Sequence, residues 1–307
     1  MTAVAAPSPA VDSRGRGATS VFGNLFVALL AAGGVAAAYY VCVLTTIGQK
    51  ADTLAMRGAD VSHPRFVEVM QRALNGTTLV SLVAICVAAA LIGFVRRRKD
   101  LAIAAALLVL GANASTRLLK TYLERPDLDG TGMPNSFPSG HTTAAASVAF
   151  ALILVLPYAI RGTVAMIGAA YTTTIAVATV WAEWHRPSDT VAALFVVLAW
   201  SALASAVVRL GRVRITGVTA RPNRIAMWIF GVVGALSAVA AVVGFSALAL
   251  GEHLTPDLVS GRYVFAAGIA AVTTVVAATF AIWVRLAAGD RPTPAPQPES
   301  PFAGGTP

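Results

Sequence analysis

The chain is 307 residues long, 57% hydrophobic and only 12% charged, with a mean hydropathy of +0.73. Soluble domains carry about 25% charged residues, so this composition excludes an ordinary globular protein and places the chain in a membrane. The net charge of +9 would suit nucleic acid, but the basic residues cluster beside apolar segments, as topology signals do, and we expect no nucleic-acid partner.

Residues 1–20 are polar and predict a disordered cytoplasmic N-terminus. The apolar run at 21–47 is too long for a signal-peptide core and is expected to stay as the first span. Further apolar runs follow near 77–95, 101–121, 142–160, 163–183, 189–208, 225–250 and 263–287. Each is long enough to cross about 30 Å of hydrocarbon as a helix. No strand alternation suggests a barrel, so the expected fold is all-α, a polytopic bundle of about eight spans. Residues 21–210 would form a core, 211–287 a basic loop with two extra spans, and 288–307 a disordered Pro-rich tail.

Between the first two spans, 48–76 is the least regular connection. Phe66, Val67, Met70 and Leu74 recur at helical spacing and predict a short amphipathic helix at the outer interface. "NAST" at 113–116 places polar groups inside the third span, where they suit helix–helix contacts better than lipid. Cys42 and Cys86 both fall in apolar runs and read as small hydrophobes, not as a disulfide framework or metal cluster.

The arginines and lysines set the topology. Arg14 and Arg16, "RRRK" at 96–99, the five arginines of 209–224, and Arg285 and Arg291 all fall on one side if eight helices alternate. That side is cytoplasmic, with both termini, and the loops at 122–141 and 184–188 face outward.

Two of the four histidines sit in those outer loops. His185 and Asp189 have i, i+4 spacing, so on a helical turn the carboxylate reaches one imidazole nitrogen and leaves the other as a nucleophile or base. The same residues also suit a plain helix start, with Ser188 or Asp189 as cap and Pro187 setting the entry. In "FPSGHTT", a helix beginning near Ser139 would offer free N–H groups to an anion, with Gly140 leaving room and His141 placed to donate a proton. Lys120 and Arg125 approach from the end of the third span; Arg117 reads as a snorkelling side chain. Joined on one side of the membrane, Lys120, Arg125, His141, His185, Arg186 and Asp189 supply the parts of metal-free phosphoryl transfer, with no cofactor. Glu124, Asp127, Asp129 and Glu183 around the mouth read as solvated loop charges.

At these residues the chain resembles the type 2 phosphatidic acid phosphatase family of integral-membrane lipid phosphatases, related to vanadium haloperoxidases. The family signatures are Lys-x6-Arg-Pro, Pro-Ser-Gly-His and Ser-Arg-x5-His-x3-Asp. Here the second is intact as Pro138-Ser139-Gly140-His141, and the end of the third as His185 to Asp189. The resemblance covers about residues 21–210. It implies that His185 attacks phosphorus to form a phosphohistidine, Asp189 orients it, and His141 protonates the leaving oxygen. Lys120, Ser139 and the Gly140 backbone would hold the phosphate.

The chain departs from the pattern twice. Asp127 stands where the family has arginine after Lys120, and Thr179, preceded by Ala178, stands where it has Ser-Arg before His185. Arg125 and Arg186 are the expected substitutes. The expected substrates are membrane lipids whose tails stay in the bilayer: phosphatidic acid, phosphatidylglycerol phosphate, or polyprenyl phosphates and pyrophosphates of cell-wall assembly. The competing reading is a degenerate site that binds lipid phosphate without cleaving it, or a structural membrane protein. The last two spans carry no readable chemistry and are left to packing or homo-oligomer contacts.

Overall fold

The computed structural model describes residues 13–58, 64–76, 87–88, 91–95, 97–211, 223–254 and 261–288, with side chains from Val21 onward except at 66, 75–76, 211, 251–254 and 288. Among these residues the regular structure is all helix, with no strand. Nine principal helices follow in order: α1 Ser13–Ala38, α2 Thr46–Arg57, α3 Pro64–Gly76, α4 Lys99–Tyr122, α5 Gly140–Val155, α6 Tyr158–Trp181, α7 Pro187–Gly211, α8 Arg224–Leu254 and α9 Gly261–Ala288. Six stretches are long and apolar enough to cross a membrane: Val21–Val43, Lys99–Tyr122, Tyr158–Trp181, Pro187–Leu210, Arg224–Leu250 and Gly261–Ala287. In lipid the backbone must satisfy its own hydrogen bonds, which is why apolar runs of this length form helices and nothing else.

Two expected boundaries are corrected. The run 142–160 is broken because Pro157 lacks an N–H and cannot continue a helix, so α5 stops at Val155 and α6 starts at Tyr158. At 16 residues α5 is about 24 Å long, short of the hydrocarbon thickness. Nearly all of its side chains are buried among its neighbours. The first span also ends early, in a π-helical turn at Tyr39–Val43. Thr45 then caps α2 by accepting a bond from the Gly48 N–H at 3.0 Å, so part of the expected irregular connection is an ordered helix. The expected amphipathic helix forms as α3 and packs on α6. The expected span at 77–95 lies largely outside the described residues.

The bundle is centred on α5, with α4, α6, α7 and α9 around it and α1 against α7. The polar "NAST" stretch makes the contacts expected of it. Asn113 Nδ2 donates to Ser147 Oγ at 3.2 Å, the Thr116 and Thr143 hydroxyls are 2.9 Å apart, and Trp200 Nε1 donates to Ser115 Oγ at 2.9 Å. The extra C-terminal helices are not an appendage. Trp283 of α9 stacks on Phe150 at 5.6 Å and donates to its carbonyl at 3.0 Å, while Phe280 meets the same ring edge-on.

The two ends of the bundle differ in chemistry. At one, Arg161 donates to the carbonyls of Leu154, Leu156 and Ala287, and Arg209 to that of Leu286, closing the C-termini of α5 and α9. At the other meet the C-terminal ends of α4 and α6, the N-terminal ends of α5 and α7, and α2. Every candidate site residue lies at this second end.

Candidate active site

Helix α7 begins at Pro187, so Arg186 is its N-cap and Asp189 its third residue. Proline suits the first position because its missing N–H would be unpaired there in any case. Asp189 reaches back to the Arg186 N–H at 2.9 Å, as the third residue of a capping box does. The same Oδ2 lies 3.5 Å from His185 Nδ1, an ion-pair separation long for a hydrogen bond, and among the described residues no other acceptor meets that nitrogen. The helix start and the oriented imidazole are therefore one arrangement. With Nδ1 turned to Asp189, His185 Nε2 faces away from it.

Asp189 is a fully buried hub. Oδ2 also accepts from Ser136 Oγ at 2.5 Å, and Oδ1 from Arg125 Nη2 at 3.2 Å. Its backbone carbonyl accepts from the Ser139 N–H at 2.9 Å, tying the start of α7 to the start of α5. There Ser139 caps α5, its Oγ accepting from the Thr142 N–H at 3.3 Å. The N–H groups of Gly140 and His141 occupy the first turn, where a helix offers them no partner of its own. A β-carbon at Gly140 would meet no atom within 4 Å, so the glycine borders open space. The His141 ring lies 6.2 Å from that of His185 and 5.5 Å from that of Trp184. Lys120 is close enough for its charge to act on both Asp189 and His141.

The two substitute arginines behave differently. Arg125 has a side chain only 2% exposed, yet Nε and Nη1 meet no acceptor among the described residues. Arg186 is engaged by protein oxygens throughout: Nε donates to Thr53 at 3.0 Å, Nη1 to Ser136 at 3.4 Å, and Nη2 lies 3.9 Å from Asp129. Expected in the phosphate cradle, Arg186 is directed instead into the packing between α2 and the loop before α5. Thr179, at the family's arginine position, is buried, and its carbonyl accepts from the N–H groups of Trp184 and His185 at 3.0 and 3.2 Å.

The expectation for Asp129 needs correcting, since it is not a solvated charge. It accepts from Thr53 Oγ1 at 2.6 Å and from the N–H and hydroxyl of Thr131. Burial opposes its ionisation, but these bonds and the Arg186 charge outweigh burial and hold the carboxyl at about 2. Asp127, Glu124 and Glu183 are exposed, as expected. Missed altogether were Ser136 and the α2 residues Gln49, Asp52 and Thr53. Their signal was available: Gln49, Asp52 and Thr53 stand at i, i+3, i+4, one polar helix face, and "DLDGT" at 127–131 is a turn signature that pins an Asp side chain.

The family model of the PAP2 superfamily matches residues 101–212. Over this segment the chain is similar to the PAP2 superfamily. The PAP2 match runs from the start of α4 to the end of α7, so it contains every sequence-predicted site residue and leaves out α1, α2, α3, α8 and α9. Members of the PAP2 superfamily are phosphatases, and the long apolar helices mark this chain as a multi-pass membrane protein. No curated protein and no solved structure matches the chain.

Proposed function

We propose that the protein hydrolyses a lipid phosphate monoester or pyrophosphate at the outer membrane surface through a phosphohistidine. The observation that carries this reading is the buried Asp189 carboxylate, which faces both His185 Nδ1 and Arg125. One anionic group thereby aims a nucleophile and holds a guanidinium that keeps two donors in reserve. His185 Nε2 attacks phosphorus, the P–O bond to the leaving group breaks, and His141 gives that oxygen its proton. Water then attacks the phosphohistidine, its proton passes to His141, the N–P bond breaks and phosphate departs. Lys120, Arg125, the N–H groups of Gly140 and His141 and the Ser139 hydroxyl proton stabilise charge on the equatorial oxygens.

The site end is the outer end in this reading. Arg161, Arg209, Arg224 and Arg285 gather at the opposite end, as cytoplasmic residues do. Tyr40, Tyr122, Trp184 and Tyr263 are exposed around the site end, as side chains at headgroup level are. The expected topology, with both termini inside, fits this arrangement. The substrate is then a phosphatidic acid, phosphatidylglycerol phosphate, or polyprenyl phosphate or pyrophosphate with its tail left in the bilayer.

Phosphate release by the purified protein across a panel of these lipids tests the reading. Release is expected to persist in a metal chelator, since no step draws on a metal. Thr179 and Asp127, in place of two family arginines, favour the second reading, a lipid-phosphate binder. Saturable phosphate binding with no release from any lipid on the panel would decide for it. A smaller test concerns Gly140. Alanine meets no atom there, so thermal stability should hold within about 1 °C, while the methyl group crowds the N–H cradle and slows release about tenfold.

A further inference from the structure

Helix α2 lies outside the PAP2 match, yet its buried face is polar and grips the site from behind. Gln49 Nε2 donates to the carbonyls of Val43 and Pro126 at 2.6 and 2.7 Å, and its Oε1 accepts from the Leu128 N–H. That fixes the loop carrying Arg125. Asp52 accepts from the Ser188 N–H at 3.0 Å and makes a short bond to the Ser188 hydroxyl. Thr53 links Arg186 to Asp129. Within His185–Asp189, then, α2 holds residues 186 and 188 on one side, leaving His185 and Asp189 for the other.

The cap itself is unusual in its source. A helix start wants a side-chain acceptor at the N-cap, but that position is Arg186, which has none to give. Asp52 supplies the carboxylate from another helix. Helix α9 holds α2 in register through close backbone approach: a β-carbon at Gly58 would fall 1.8 Å from the Gly261 carbonyl oxygen, and one at Gly268 only 3.2 Å from Ala55.

We propose that Asp52 is a positioning residue of the reaction, holding the start of α7 so that Asp189 aims His185. The proposal rests on reading these two as orienting carboxylate and nucleophile. Asp189 faces Asp52 from α7, Arg186 from the residue just before it and Arg125 from the loop before α5, and the Cys42 thiol faces it from the π-helical turn after α1. Burial first, and Asp189 second, push the Asp52 carboxyl from its ordinary 3.8 up to about 7. The folded chain therefore keeps a proton that the unfolded chain has lost between those values. Asp52 stabilises the fold most below its unfolded value, and that contribution is lost as pH rises through about 7. Once ionised, it repels Asp189 and attracts Arg125, reweighting the pair that aims His185.

The test compares wild type with Asp52→Ala and Asp52→Asn. Asp52→Ala is expected to lower kcat about 10–100-fold with KM within about twofold. Asp52→Asn keeps an acceptor for the Ser188 N–H and should recover most of that rate. It should also lose an inflection near 7 in the wild-type profile of kcat against pH. Identical kcat and pH profiles in all three proteins, with only the thermal midpoint changed, would overturn the proposal and leave Asp52 a plain helix cap. If the wild type releases no phosphate at all, the phosphatase reading falls on its own. Positioning is then read from carbethoxylation of His185 by diethyl pyrocarbonate, followed by peptide mass spectrometry. A pH midpoint of modification that moves in Asp52→Asn supports the proposal, and an unchanged midpoint overturns it.

Discussion

His185→Ala is expected to reduce phosphate release by about 10³-fold or more while leaving the thermal midpoint nearly unchanged. The split follows from the contacts. The His185 ring makes one long approach to Asp189, which keeps Ser136, Arg125 and the Arg186 N–H after the ring is removed. Asp189→Asn should lose activity and stability together. An amide at that hub turns an NH2 group toward donors and leaves the Arg125 charge buried without its partner, a change of about 3–5 kcal/mol. Phosphate release and thermal unfolding in detergent measure both effects. Equal loss of stability in the two variants would mean that His185 is a structural residue. Loss at His141 should be milder, about 10²–10⁴-fold, and should shrink for substrates whose leaving group needs no proton.

Arg125→Ala is the second large effect. It removes the charge facing Asp189 Oδ1 and the two guanidinium donors that have no acceptor among the described residues. Charge-assisted hydrogen bonds contribute about 1.5–3 kcal/mol each, so losing two costs about 10²–10⁴-fold in kcat/KM. Arg125→Lys restores the charge without the fork and should recover only part of the loss. Arg186→Ala should behave in the opposite way. It strips Thr53, Ser136 and Asp129 of a shared partner, lowering stability by about 3–5 kcal/mol, while inorganic phosphate still competes with substrate. Competitive inhibition by inorganic phosphate separates the two arginines. Weakened inhibition in Arg186→Ala, with Arg125→Ala unaffected, would reverse the assignment.

Much of this architecture is legible in linear order because a membrane imposes period and length on the chain. Six of the expected spans appear as long apolar helices, and the polar "NAST" stretch packs between helices as its composition demands. The failures are local. Pro157 cut the fourth expected span short, a breaker hidden inside a run that hydropathy alone treats as continuous. Helix α2 escaped notice because its buried face is polar, and a search for apolar periodicity passes over such a helix.

The candidate site divides along the same line. Pro-Ser-Gly-His and His-x3-Asp name the residues, and their i, i+4 spacing places Asp189 against His185 without further information. Local order also fixes the helix starts, since Ser139 and Pro187 act through bonds within a few residues of themselves. What each arginine does is decided only by the fold. Arg125 and Arg186 are both basic loop residues beside the same motifs, and nothing in their neighbours along the chain separates them. Thr53, from a helix more than a hundred residues earlier, accepts from Arg186 and draws it toward α2, whereas among the described residues no oxygen claims Arg125 Nε or Nη1. Sequence determines which groups reach the loops at the site end; tertiary packing determines which of their hydrogen bonds are already used and which are left open.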